Sequence, residues 1–328
     1  MPISWSEHSA TSFGGTELMA RRLEDSLPPE LLEKVQIFPS RVTELDATRP
    51  RILWLHDLTV DASHVLRNKG WEKFQMLVFV SYWQRDLFIR QFDIPYSKCI
   101  VIPNAIKTFQ EEIVKPTDTV NLIYHTTPHR GLNLLLPVVD NLTKKYPTLH
   151  LDVYSSFNAY GSFGAGRDAQ YKVLFDQIET HPQMTYHGFQ PNDVVREALK
   201  KAHIFSYPNT WLETSCMALM EAMNAECICV HPSFGALPET SGKYTMMYEY
   251  TEDERAHMAR FHQVLDIAIE SVLEGSEIMD YRRKAARGFI DVNNNWDMVQ
   301  NYWVGLLEKV SQMPFDIPKE KPKFTYVL

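Results

Sequence analysis

Cysteine is scarce in these 328 residues, and its spacing suits no metal or redox framework. None of Cys99, Cys216, Cys227 and Cys229 forms a pair separated by two residues, the pattern of zinc and dithiol sites. Cys227 and Cys229 alternate along an apparent strand and so share a face; buried packing in a reducing cytosol is their expected role. A basic excess is also missing. The formal charge is -8 and the isoelectric point is near 5.8, which disfavours nucleic acid or an anionic membrane as the main partner. No apolar run is long enough to span a bilayer. The opening Met1-Pro-Ile-Ser-Trp-Ser-Glu7 has neither the positive start nor the apolar segment of a secretion signal. A cytoplasmic protein without a stable membrane anchor is therefore expected. There is no short-period repeat, no low-complexity tract and no carboxylate-rich triad at a strand end, so neither a metal nor any other cofactor is expected.

What is present is alternation. Short apolar runs, such as Val35–Phe38, Arg51–Leu55, Leu77–Val80 and Ile100–Ile102, are separated by helical patterns such as Tyr82–Phe92. A charged, aperiodic stretch, Lys107–Thr119, then reads as a linker, and a second alternating series follows. Its strands are expected at Val120–Tyr124, Leu149–Tyr154, Met184–Tyr186, Ile204–Tyr207, Cys227–Val230 and Tyr244–Met247. Helices are expected between them at Leu132–Lys145, Tyr171–Glu179, Asp193–Lys201 and Glu213–Asn224. The pattern predicts two α/β domains, each with a parallel sheet covered on both faces. The expected division is residues 1–112, residues 113–290, and a C-terminal helix and arm over 291–328 that returns to the first domain. Ligands on such sheets bind beyond the carboxyl ends of the strands, and two such domains facing each other would form a cleft.

The densest chemical signal is Glu213-Thr-Ser-Cys-Met-Ala-Leu-Met-Glu221, just after the apolar run His203–Pro208. The run reads as a strand stopped by Pro208. Thr214 and Ser215 suit a helix start, because their hydroxyls accept from orphan N–H groups. On one helix the two glutamates would stand about 12 Å apart and within roughly 80° of one face. Acids so placed can hold hydroxylated rings at two ends of a ligand, while N–H groups between them take negative charge. A sugar, a diphosphate and a ribose in line is such a ligand. Two glutamates eight apart also arise by chance. Met217, Leu219, Met220 and Met223 make most of this helix apolar, however, so Glu221 needs a partner or a ligand.

Other candidates sit at strand ends. His56 follows Arg51–Leu55, with His64, His129 and His187 as competing histidines. His125-Thr126-Thr-Pro-His129-Arg130-Gly131 follows the first strand of the second domain. There Arg130 offers a permanently charged fork for a diphosphate, or a partner for any nearby acid. Gly14-Gly15-Thr16-Glu17 precedes an amphipathic run and permits close approach to a phosphate, although it is not the spaced-glycine dinucleotide fingerprint. Ser233-Phe-Gly235-Ala-Leu-Pro238-Glu239 reads as a cradle or as a plain turn.

Taken in order, these motifs resemble a family 4 glycosyltransferase of the GT-B fold, from Gly14 to about Val310. The elements are Gly14-Gly15-Thr16-Glu17, Val101-Ile-Pro-Asn104-Ala-Ile106, Arg130-Gly131, Glu213-x7-Glu221 after Tyr207-Pro208, Gly235-Ala-Leu-Pro238-Glu239 and the Trp296 helix. The resemblance implies two Rossmann-like, doubly wound domains facing across a cleft. It further implies a retaining transfer of a hexose from a nucleotide sugar, with UDP the commonest nucleotide, to a hydroxyl of a glycan, lipid or protein. It assigns the donor sugar to Glu213 and His56 and the ribose to Glu221. The diphosphate falls to Arg130, with Gly14 and Gly15 close by, and the base to His187-Gly-Phe189. Thr126, Thr214 and Ser215 join the donor contacts, and Arg130→Ala is expected to lower turnover about 10²–10³-fold with the fold kept.

Departures from the family pattern also stand out. A polar stub, Ser4–Ser12, occupies the place of a full apolar strand, so the first domain reads as trimmed at its N-terminus. His125 or Thr126 fills the place of a second basic residue, leaving Arg130 to act with His129 or backbone donors. Ala105 replaces a glycine. The alternatives are a non-catalytic nucleotide-sugar binder and a GT-B epimerase or hydrolase. A DNA-modifying transferase is disfavoured by the acidic balance. Membrane attachment through Arg21 and Arg22 is offset by Glu17, Glu24 and Asp25.

Overall fold

A computed structural model describes residues 3–4, 12 and 14–314. The chain divides into two compact units, Met1–Ala105 with Asn293–Leu328, and Ile106–Val292.

The first unit starts with helices α1 (Gly15–Ser26) and α2 (Pro29–Leu32). Strand β1 (Gln36–Pro39), strand β2 (Arg51–Leu55), helix α3 (Thr59–Leu66), strand β3 (Met76–Phe79), helix α4 (Tyr82–Phe92) and strand β4 (Cys99–Val101) follow. The four strands pair in parallel in the order β1-β2-β3-β4. Strands β1 to β3 are buried along their whole length, as expected when both faces of a sheet are covered. Phe38, Leu53, Leu55, Leu77 and Phe79 pack on one face with Ala62, Val65 and Leu66 of α3 and Phe88 of α4. Alternation sends Trp54 to the other face. There it meets Trp303, at 4.5 Å between ring centroids, from the C-terminal helix α12 (Trp296–Ser311). The Trp296 indole N–H donates to Ser26 Oγ at 2.8 Å, tying α12 to the end of α1. Ile3 forms a parallel bridge with Ile37 on the free side of β1. The polar stub over 4–12 lies, apart from its two ends, outside the described residues, as does the C-terminal arm from residue 315 onward.

The second unit holds strands β5 (Val120–Tyr124), β6 (Leu149–Val153), β7 (Met184–Tyr186), β8 (Ile204–Ser206), β9 (Ile228–Ser233) and β10 (Met246–Glu249). Helices α5 (Leu132–Lys145), α6 (Lys172–Thr180), α7 (Asn192–Lys201), α8 (Met217–Asn224), α9 (Leu237–Ser241), α10 (Glu254–Leu273) and α11 (Glu277–Asn293) alternate with them and complete the unit. All pairings are parallel, in the order β10-β9-β8-β5-β6-β7. The chain builds outward from β5 through β6 to β7, then crosses to the other side of β5 for β8. This reversal makes the sheet doubly wound and creates a switch point between β5 and β8.

The aperiodic stretch 107–119 carries no regular secondary structure, and it is anchored within this unit. Phe109 and Ile113 are buried. The Phe109 N–H donates to Asn224 Oδ1 at 2.7 Å. Lys115 Nζ donates to the carbonyls of Leu199, Ala202 and Ala225 at 3.0, 2.6 and 2.7 Å. A single ammonium thus satisfies orphan carbonyls at the ends of α7 and α8.

Candidate functional site

The loops after β5 and β8 diverge from the switch point, and the strongest sequence candidates lie on them. After β5 the chain makes one 3₁₀ turn, Pro128–Arg130, and enters α5 through Gly131 at φ +108°. A Cβ on Gly131 would lie 2.1 Å from the Pro208 carbonyl oxygen, so glycine lets the two loops touch backbone to backbone. The contact brings Arg130 to Glu213, and Arg130 Nη1 forms an ion pair with Glu213 Oε1. The Tyr207 hydroxyl, at the end of β8, donates to the same carboxylate oxygen at 2.6 Å.

Glu213 is only 5% exposed, so its charge needs both partners. Burial works against the Arg130 charge, but the neighbouring Glu213 outweighs it and raises the guanidinium pKa. Burial and then Glu213 raise the Tyr207 pKa, which keeps its hydroxyl a donor. His129 adds no second positive charge. Burial, then the charges of Arg130 and Arg167, lower its pKa to about 4.

Glu213 does not lie on a helix, and the helix start is not where the sequence puts it. Helix α8 begins at Met217, with Cys216 at its N-cap and no side-chain cap bond. Thr214 and Ser215 therefore sit in the preceding loop instead of capping. The cause is a competing hydrogen bond. The Glu213 carbonyl, which would open a helix by accepting from residue 217, accepts from the Ala236 N–H at 2.8 Å. Gly235, at φ +58°, makes this possible, since a Cβ there would lie 2.5 Å from the Glu213 oxygen. The loop after β9 thereby fixes Glu213, and the expected 12 Å helical ruler between the two glutamates does not exist.

Glu221 does lie on α8 and is 4% exposed. Asn192 Nδ2, at the start of α7, donates to both carboxylate oxygens at 3.0 and 3.2 Å, and Arg196 Nη1 stands 3.7 Å away. Its need for a partner is thus met within the protein.

Other buried polar atoms at the carboxyl ends of the central strands lack hydrogen-bond partners. They include His125 Nε2 and Thr127 Oγ1 after β5, Ser155 Oγ after β6 and Ser206 Oγ at the end of β8. Each such atom costs on the order of 1–3 kcal/mol unless water or a ligand meets it. Thr126 lies in the same β5 turn. Phe189, 40% exposed, stands on the loop after β7, where Gly188 takes φ +63°. His187 beside it is already partnered: its Nε2 lies 2.7 Å from Asp152 Oδ1, and its ring stacks on Tyr154.

In the first unit, His56 directly follows β2 and is 7% exposed. Its backbone N–H donates to Ser40 Oγ at 3.0 Å, its ring centroid lies 4.5 Å from that of Trp54, and burial lowers its pKa to about 3. Gly14 caps α1 and Gly15 is its first residue, as the glycine pair suggests. The sequence motifs include Tyr207 but give it no role in the site, and they do not include Asn192. The position of Tyr207 at a strand end was a usable signal; nothing in the spacing pointed to Asn192. Among the described residues, no cluster of three or more His, Cys, Asp or Glu side chains could hold a metal ion, and no helix is long and apolar enough to cross a membrane.

Solved structures with the same fold include TarM, with a TM-score of 0.61 and 16% identity over 89% of this chain and 58% of that one. Anabaena Alr3699/HepE in complex with UDP and glucose gives 0.64 and 13% over 89% and 81%. Sucrose-phosphate synthase from Thermosynechococcus elongatus gives 0.60 and 14% over 80% and 68%. The protein spans little more than half the length of TarM. At these identities the likeness establishes the GT-B fold. Comparison with curated proteins returns no match. The sequence model of the glycosyl transferases group 1 family matches residues 105–288, which is more than half of the chain and includes Arg130, Glu213 and Glu221, and the chain belongs to that family.

Proposed function

We propose that this protein moves a hexose from a nucleoside-diphosphate sugar to a hydroxyl acceptor with retention of configuration, as family 4 glycosyltransferases do. The observation that carries this reading is the Arg130–Glu213 pair at the switch point of the second sheet. A ligand bearing both a diphosphate and a hydroxylated ring engages the two charges together. Arg130 takes the diphosphate, where negative charge grows as the glycosyl–phosphate bond breaks. Glu213 accepts from sugar hydroxyls. The acceptor oxygen bonds to the anomeric carbon on the face that the diphosphate leaves, and the acceptor proton passes to the departing phosphate oxygen.

Glu221 keeps the proposed ribose contact, sharing its carboxylate with Asn192; a carboxylate has about four acceptor positions. Phe189 offers an exposed ring for the base. Thr126, Thr214, Ser215, Gly14 and Gly15 keep their proposed donor contacts. His56, held neutral, is proposed to hydrogen-bond the donor sugar. UDP is the first nucleotide to try, since Anabaena Alr3699/HepE structures carry UDP with glucose and UDP-glucose.

Thermal unfolding of the full chain with UDP, GDP, ADP and their hexose conjugates tests the reading. A native-state ligand at a hundred times its Kd stabilises by about 2.7 kcal/mol. At least one conjugate is expected to raise Tm and then to be consumed only when an acceptor is added. Consumption without acceptor favours an epimerase or hydrolase. Binding without turnover favours a binder. No shift with any conjugate ends the proposal.

A further inference from the structure

Trp211 is the single tryptophan among residues 106–292. It stands two positions before Glu213 and is 43% exposed. Large apolar rings left in water are common enough singly, but this one is mounted with care. Asn209, fully buried, clamps its backbone from both sides: Nδ2 donates to the Trp211 carbonyl at 2.6 Å, and the Trp211 N–H donates to Oδ1 at 2.9 Å. Thr210 Oγ1 donates to the His129 carbonyl at 3.2 Å, joining this loop to the one that carries Arg130. The indole rests edge-on against His129 at 4.9 Å, and His129 in turn stacks on Phe157 at 5.2 Å. The Arg130 guanidinium carbon lies 5.9 Å from the indole centroid.

A rigid ring with a wet face is thus fixed beside the ion pair. Core packing does not require such a mount, because a buried asparagine fixes the backbone of a residue whose side chain remains partly in solvent. Resting on the donor reading above, we propose that Trp211 is a specificity-determining residue that stacks against the C–H face of the donor hexose. Arg130 and Glu213 hold its diphosphate and hydroxyls. A pyranose has one face rich in C–H groups, and covering it with an aromatic ring removes apolar area from water at little entropic cost. A free nucleoside diphosphate has no such ring to cover.

The test compares UDP-glucose with UDP, GDP-mannose with GDP, and ADP-glucose with ADP, by calorimetric titration of wild type, Trp211→Phe and Trp211→Ala. The pair that the wild type binds best is the one followed. Trp211→Ala is expected to weaken the sugar conjugate about tenfold and the free diphosphate less than twofold, and Trp211→Phe to retain most of the difference. Indole emission, taken as wild type minus Trp211→Phe, is expected to change with the conjugate and not with the free diphosphate. Equal losses for conjugate and diphosphate would assign Trp211 to Arg130 or to the loop's stability and overturn the proposal. So would unchanged binding of the conjugate. A wild type that binds none of the three conjugates fails the donor reading itself, a result distinct from loss in the variants alone.

Discussion

The two parallel sheets of this chain use the same strand grammar and differ in order. In the first unit β1 to β4 pair in the sequence in which they are made. In the second, the chain builds from β5 to β7, returns, and adds β8 to β10 on the other side. The first arrangement lines its loops up along one direction. The second makes two loops diverge at one point, and there Arg130, Tyr207, Glu213 and the orphaned hydroxyls of Thr127 and Ser206 collect. Strand composition alone does not create this concentration; the reversal does. The first unit has His56 at a strand end, and its largest side chains go into packing, as in Trp54 against Trp303.

Trp303 is fully buried in the first unit, and Trp303→Ala is expected to cost about 3–5 kcal/mol of that unit's stability. At a temperature where the variant remains folded, UDP affinity is expected to stay within about threefold of wild type. Urea unfolding and calorimetry check the two halves. A variant of normal stability, or one that loses UDP binding while folded, would blur the division.

A smaller effect concerns acid. Burial lowers the pKa of His56 and His125 to about 3, and burial is the first cause lowering His129 and His231 to about 4. Each is neutral when folded, whereas in the unfolded chain it protonates near pH 6.5. Between about pH 6.5 and 4 the unfolded state binds more protons, so stability falls as pH falls, by up to about 1.4 kcal/mol per pH unit for each such group. Three of the four lie in the second unit, which is therefore expected to weaken first. Urea midpoints from pH 7 to 5, followed by Trp211 emission for that unit, read this out; a flat profile would contradict the buried neutral histidines.

Much of the fold was legible because its signals are local. Arg51–Leu55, Val120–Tyr124, Met184–Tyr186, Tyr82–Phe92 and Leu132–Lys145 coincide with their elements to the residue, since apolar periodicity and flanking breakers set them. The helix over 213–216 failed for a non-local reason: the Glu213 carbonyl is taken by Ala236, a contact that spacing cannot reveal. Order along the sheet was equally invisible, because periodicity gives strands and not neighbours. The family motifs located Arg130 and Glu213, and the structure supplied their pairing. It also changes one expectation. Arg130→Ala would leave Glu213 buried without its counter-ion, a loss of about 3–5 kcal/mol, so the fold would not be left untouched.

Arg130→Lys avoids that cost, since it keeps the charge beside Glu213 and removes only the planar fork. Calorimetric titration of UDP into wild type and Arg130→Lys, with Tm measured alongside, shows whether the Arg130 fork holds the diphosphate. The expected result is about tenfold or greater weakening in the variant, with Tm within a few degrees of wild type, because the fork grips the diphosphate. Equal affinity for UDP in the two proteins would contradict a donor site built on the Arg130–Glu213 pair.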